Sequence, residues 1–368
     1  MNSWLAYKSK RAYVFQDHIW NPDHYPWSWQ SYVRSLGKLT RPRTPLNALL
    51  AGPSAGGFWD SNDNAPRSIS EHWFNTVCPK SERRIIYTGD VKPAIYWEPG
   101  DVIFKHWEKL LTDAPERCIE VRPSFSDGTP QIFDFGVWCS ARVLPLWDEY
   151  KTSPVSRLMA PSPIVKAAVD RNEQLFLPSP LLSYPERMLA IHLRRGDFKR
   201  HCHKMAGMNF TFHSWNLLPS LPDKFTPEGL TPEGHADFQK HCYPEDHMIL
   251  DKIRESREEY IAASPGENRV LDIIFLLTND ATSWVDELKT ELMQSGWNTV
   301  VTTKDLELDL EQKDVSMAVD MEFAIKAAVF IGNGVSLFFL KKNFRPLTGM
   351  FPVVLVYEWY CASTAGEW

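Results

Sequence analysis

The sequence predicts an α/β fold built on a parallel sheet, and three observations carry that prediction. In the second half of the 368 residues, short apolar runs of strand length alternate with amphipathic stretches of helix length. Three of those runs end in polar clusters, at His192–Asp197, Thr278–Asp280 and Gly332–Ser336. The balance of 43% hydrophobic and 23% charged residues is that of a globular chain, long enough for two domains of ordinary size.

The chain opens with the end of a helix, Trp4–Arg11, and then a strand in AYVFQ, residues 12–16. Trp20–Asp63 is rich in Pro, Trp and Gly and reads as irregular structure. Trp27 and Trp29 flank Ser28 there, as loop packing or as a sugar-stacking platform. A short helix is expected over Arg67–Lys80, strands over Arg84–Tyr87, Cys118–Val121 and Gln131–Phe135, and helices over Asp101–Leu111 and Val155–Asn172. Pro178-Ser179-Pro180 reads as a linker and divides the chain into residues 1–180 and 181–368.

The second half is more regular. Strand Met188–His192 precedes an insertion, Lys199–Pro244, too long for an ordinary strand–helix loop. A helix is expected over Glu245–Ala262, a strand over Asp272–Leu277 and a helix over Ala281–Gln294. Strand Asn298–Thr302, helix Val315–Ala328 and strands Val329–Ile331 and Val353–Tyr357 complete the reading.

Composition excludes several classes. The net charge is −6, so a broad nucleic-acid-binding or membrane-binding surface is not indicated. No stretch approaches the roughly 18–20 apolar residues of a membrane span, and MNSWLAYKSKR has no apolar run of the signal-peptide kind. Asn209-Phe210-Thr211 spells a glycosylation acceptor. Six cysteines, at 78, 118, 139, 202, 242 and 361, permit thiols or up to three bridges, and their spacings do not fit a paired CxxC zinc site. His201-Cys202-His203 and His241-Cys242 can be drawn as a metal site instead.

Parallel strands bring the three polar ends to one sheet edge, where ligands of open α/β sheets sit. In MLAIHLRRGDF, two guanidinium groups at a strand tip suit phosphate oxygens. Gly332-Asn333-Gly334-Val335-Ser336 lets backbone approach an anion closely, or is simply a tight turn. Asp320, on the preceding helix, is a candidate acceptor for guanine N1–H and N2–H. The sequence holds no Asp-x-Asp, so the charge of a diphosphate falls to Arg and backbone dipoles, without a metal.

These residues resemble a family. HLRRGDF, the TND strand end and DMEFAIKAAVFIGNGVSLF are similar to three sequence blocks of the GDP-fucose protein O-fucosyltransferases, closest in style to fungal members. Good coverage runs from about Met188 to Phe339, with looser matches in AYKSKRAYVFQDHIW and QIFDF. The resemblance implies a GT-B-like fold, two Rossmann-like domains facing across a cleft. It implies an inverting transfer of fucose from GDP-fucose to a Ser or Thr hydroxyl of an acceptor protein, without a metal or other cofactor. By the same resemblance Arg194 binds the β-phosphate and is the catalytic group, His192 and Asp320 hold the guanosine, Ser336 and Phe338 complete the donor site, and Asp280 joins it. Arg195 and Asp197 are left for loop structure.

A secretory compartment, endoplasmic reticulum or Golgi, is also implied. It favours a Cys202–Cys242 disulfide pinning a lid over the metal reading, and makes Cys78–Cys118 a second candidate pair. Phe210, Phe212 and Trp215 of that lid are expected at the acceptor cleft. Two departures from the family stand out. Leu337 replaces a hydroxyl residue, and a first strand with its Gly/Asn loop is missing before Trp4, which reads as truncation at the amino terminus. They motivate one alternative, a catalytically dead scaffold acting as a binding module; a transferase for another GDP-sugar or a glycan acceptor is a further one.

Overall fold

The computed structural model describes residues 1–19, 43–125, 127, 131–177, 183–196, 198–207, 212, 214–221, 225–226, 229–263 and 269–332. Asp197, Asn209, Phe210, Ser336, Leu337 and Phe338, the Trp27–Trp29 pair, Cys361 and the strand expected over Val353–Tyr357 lie outside them.

In the first half, helix α1 (Asn2–Lys8) leads to β1 (Val14–Phe15), which pairs in parallel with β2 (Ile69–Ser70). Helix α2 (Glu71–Val77) is capped by Ser70 Oγ, which accepts from Trp73 N–H. Strand β3 (Arg83–Tyr87) pairs in parallel with β4 (Cys118–Arg122), and helix α3 (Gly100–Asp113) lies between them in sequence. The described parallel strands of this half thus pair only in twos. Its core is aromatic: Trp4, Phe104, Trp107, Phe133, Trp138, Trp147 and Tyr150 pack with Ile103 and Val143.

Two expectations fail here for local reasons. Gln131–Phe135 is not a strand, because the Asp134 carboxylate accepts from Val137 N–H at 3.0 Å and starts a short helix, Phe135–Trp138. Val155–Asn172 is not one helix. Ser153 caps a single turn, Pro154–Arg157, the chain then extends through Ala160–Pro161, and Ser162 caps helix α4 (Pro163–Asn172) by accepting from Val165 N–H at 3.2 Å. Ser-Pro before a helix is a restart signal, with proline preset for the first turn.

The second half holds one four-stranded parallel sheet. Its strands are β5 (Met188–Leu193), β6 (Ile273–Thr278), β7 (Thr299–Thr302) and β8 (Val329–Ile331), in spatial order β7-β6-β5-β8. Side chains alternate between its faces. Met188, Ala190, Ile273, Phe275 and Val301 meet α4 and α9 (Ser316–Lys326) on one side. Leu189, Ile191, Ile274, Leu276 and Val300 meet helices α7 (Asp246–Ala262) and α8 (Trp284–Gln294) on the other. Burial on both faces explains the uninterrupted apolar runs of β5 and β6.

At the amino edge of the sheet Asp272, 3% exposed, accepts from Arg187 Nε at 2.9 Å and Asn298 Nδ2 at 2.6 Å, and its second oxygen meets Arg187 Nη2. Breaking such a pair by removing one partner costs about 3–5 kcal/mol. The opposite, carboxyl edge is left for function.

The two halves interlock. Helix α4 precedes residue 180 yet packs on the C-terminal sheet, together with Leu49 and Phe176. Asn172 ties it across the chain, donating to Glu307 O at 3.0 Å and accepting from Glu307 N–H at 2.7 Å. The insertion reaches the other way. Helices α5 (Phe198–Ala206) and α6 (Pro232–Cys242) are joined by a Cys202–Cys242 disulfide around Phe212, Phe225 and Phe238. Between them, Trp215 is 2% exposed and sits in the aromatic core of the first half, 4.9 Å from the Trp147 ring. Phe212 and Trp215 are therefore core residues, not cleft-lining ones. A second disulfide, Cys78–Cys118, fixes the start of β4 to the end of α2. Bonded to each other, Cys202 and Cys242 offer no thiolate to a metal.

Candidate functional site

The order β7-β6-β5-β8 reverses direction between β5 and β8, since successive strands are laid outward from β5 on one side and then return to its other side. Such a switch point leaves a crevice at the carboxyl ends of the two strands flanking it. His192 lies at the end of β5, Arg194 in the loop just past it, and Gly332 just past β8.

His192 is half-buried, and desolvation together with the Arg194 cation pushes its imidazole down to about 3. It is therefore neutral at physiological pH and offers one N–H and one lone pair. Arg194 is half-buried with its guanidinium 5.7 Å from the centre of the Phe198 ring.

Its neighbour Arg195 is built into the loop. It is 5% exposed, with its guanidinium 4.4 Å and 4.5 Å from the ring centres of Tyr243 and Trp284. Asp246 Oδ1 accepts from Arg195 Nη2 at 3.0 Å and from Trp284 Nε1 at 2.9 Å. Asn279 then grips the Arg195 peptide on both sides, accepting from its N–H at 2.8 Å and donating to its carbonyl at 3.2 Å. This clamp fixes the β5 loop to the end of β6. Gly196 follows with φ +59°, a left-handed turn that a side chain disfavours, and aims the chain into α5. Beyond it an open depression of about 430 Å³ is lined by Gly196, Lys199, Arg200 and His203. Among the described residues no carboxylate pairs with those three basic side chains.

Asp280 lies at the same edge but works locally. Its Oδ1 accepts from Thr282 N–H at 2.7 Å and Thr282 Oγ1 at 2.6 Å, shaping the turn into the next helix. Asp320, on α9, is different. Oδ2 accepts from Thr303 Oγ1 at 3.0 Å, whereas the buried Oδ1 has no hydrogen-bond partner among the described residues. Desolvation raises its carboxyl to about 7, with the Thr303 hydrogen bond opposing. A buried acceptor left open costs stability unless something fills it.

Arg194, His192, Asp280 and Gly332 thus gather at the carboxyl edge, with Asp320 held against the turn that follows β7. Asp197, Ser336 and Phe338 fall outside the described residues. Thr303 carries no signal in the sequence, and Asn279 stands out there only as the middle of the TND strand end. A hydroxyl two residues after a short apolar run and an Asn between Thr and Asp are both common at strand ends, so neither announces its partner. Among the described residues no group of three or more His, Cys, Asp or Glu side chains could hold a metal, and no helix is long and apolar enough to cross a membrane.

The fold and the site define a doubly wound α/β sheet with His192, Arg194 and Asp280 at its carboxyl edge, beside the switch point. No family model and no curated protein matches the chain. Among solved structures, the crystal structure of POFUT1 in its apo form covers 91% of this chain and 86% of its own, at 16% identity and a TM-score of 0.42.

Proposed function

We propose that the protein is a glycosyltransferase that moves fucose from GDP-fucose to a Ser or Thr hydroxyl of an acceptor protein, with inversion. The observation that carries this reading is the placement of His192 and Arg194 at the end of β5, beside the switch point. An anion held there meets a guanidinium and the start of α5, both suited to diphosphate oxygens. Asp320 Oδ1, open and buried, is the acceptor a guanine N1–H and N2–H edge requires, and neutral His192 suits the nucleoside better than an imidazolium would.

In this reading the acceptor hydroxyl attacks the sugar C1 opposite the leaving GDP, the C1–oxygen bond to the β-phosphate breaks with its electron pair left on the phosphate, and the hydroxyl proton passes to solvent. Arg194 meets the charge that grows on that phosphate oxygen, which is where preorganised electrostatics contribute most. The donor site lies in a C-terminal Rossmann-like domain, with the first half as the acceptor-side domain of a GT-B-like pair. Two disulfides fit a secretory-pathway protein.

Calorimetric titration with GDP and GDP-fucose tests the reading. Saturable binding of both, with fucose transfer to a hydroxyl-bearing acceptor, is the expected result. Absence of binding, or equal use of GDP-mannose in a donor panel, overturns the assignment of donor.

A further inference from the structure

Tyr96 and Trp97 form a corner between the turn Lys92–Ile95 and α3, and both stand in solvent, 79% and 62% exposed. Trp97 has φ +60°, a left-handed backbone that bulky side chains avoid. Strain of this kind persists only where the surroundings enforce it, and it gathers at functional positions.

The surroundings here do enforce it. Arg142 donates to the Glu98 carbonyl from Nε at 2.9 Å and from Nη2 at 2.6 Å, and from Nη1 to Asp134 Oδ1 at 3.1 Å. The same guanidinium lies over the indole, 4.6 Å from the ring centre. The far edge of the indole rests on Gly136, where an added Cβ would stand 3.0 Å from two ring carbons. The ring is thus fixed by a cation and a glycine while most of it faces water. Tyr96 extends the surface, its ring centre 6.2 Å away and tilted by 40°.

We propose that the Tyr96–Trp97 corner is a carbohydrate-binding subsite in which a pyranose stacks its C–H face on the exposed indole and turns its hydroxyls toward Asp134, the Glu98 carbonyl and Arg142. The match of polarity favours this occupant. A protein partner with an apolar patch would press against the Asp134 carboxylate, the Glu98 carbonyl and the Arg142 guanidinium at the margin of the ring, at a desolvation cost. A pyranose has an apolar face ringed by hydroxyls, and those hydroxyls can satisfy the same groups. The corner also adjoins the insertion, since Val143 and Leu146 of the Arg142 segment share a core with Trp215.

Saturation-transfer difference NMR on the full chain, with N,N′-diacetylchitobiose and methyl β-glucoside as probes and a proline decamer as comparator, tests the subsite. Transfer to the protons of one sugar face is expected. Trp97→Gly, which relaxes the backbone, should melt no lower than the parent protein and bind the sugars at least tenfold more weakly. Tyr96→Ala, at a position 79% exposed, should weaken binding severalfold and decides the matter if the glycine variant fails to fold. GDP titration of both variants should be unchanged, so failure of this subsite and failure of the donor reading are seen separately. No transfer to either sugar, transfer to the proline decamer alone, or unaltered affinity in both variants overturns the proposal.

Discussion

Arg194 and Arg195 are adjacent in sequence and have different surroundings. The Arg195 guanidinium is enclosed by Tyr243, Trp284 and Asp246, and its peptide is gripped by Asn279. That of Arg194 is half-buried at the carboxyl edge of the sheet, 5.7 Å from the centre of the Phe198 ring. Arg194→Ala is expected to lower fucose transfer 100-fold or more, about 3 kcal/mol of barrier, with an unchanged melting temperature. Arg195→Ala should instead lower the melting temperature, and a variant that kept the parent's stability would remove Arg195 from its structural role.

Asp320 gives a pH signature. Its folded carboxyl titrates at about 7, above its ordinary 3.8, so between those values the native state holds more proton than the unfolded one. Its contribution therefore favours the fold at low pH and is lost as pH rises toward 7. Denaturant melts at pH 5 and pH 8 should show the parent losing stability relative to Asp320→Asn, and a constant difference would refute the assignment. If GDP needs the ionised carboxylate, its affinity should rise roughly tenfold from pH 6 to pH 8 in the parent and stay flat in the variant.

At the scale of elements, the insertion is a small disulfide-bonded subdomain hung from the tip of β5. In the chain-entropy account a bridge closing 40 residues contributes about 4 kcal/mol. Replacing both Cys202 and Cys242 by Ser should expose residues 206–232 to limited proteolysis while the sheet stays protected. Equal protection in the variant would show that Phe212, Phe225 and Phe238 hold the subdomain without the bridge.

The strands of the sheet were legible because burial on both faces leaves no polar position to interrupt the run in MLAIHL or IIFLLT. QIFDF misled because Ile132 and Phe133 carry the apolar signal of a core contact, while Asp134 carries the stronger signal of a helix cap. The Pro161-Ser162-Pro163 break is masked by the apolar period on either side of it. At the site, residue types were legible and partners were not. The Thr303–Asp320 bond joins residues that only the crossover into α9 brings together, and the Asn279 clamp spans 84 residues.

For the whole molecule, a cut at the Pro178–Pro180 linker would separate Phe176 from Phe275 and Phe323, ring centres 5.5 Å and 4.8 Å away. A fragment of residues 181–368 should therefore aggregate or melt without cooperativity, whereas one of residues 160–368 should show dispersed amide resonances. The intact chain should unfold in one calorimetric transition, because Asn172, Trp215 and Leu49 each lie in the core opposite to their place in sequence.

The same crossing sets an order of events during synthesis. Helix α4 leaves the ribosome before the strands that receive it, and β8 follows some 160 residues after Asn172, a delay of roughly 8–30 s at about 5–20 residues per second. Over that interval Val165, Ala168 and Val169 lack the complete sheet that covers them. The nascent chain is thus a client for folding helpers at one identifiable moment, and a slow stretch of codons between positions 172 and 331 would lengthen it.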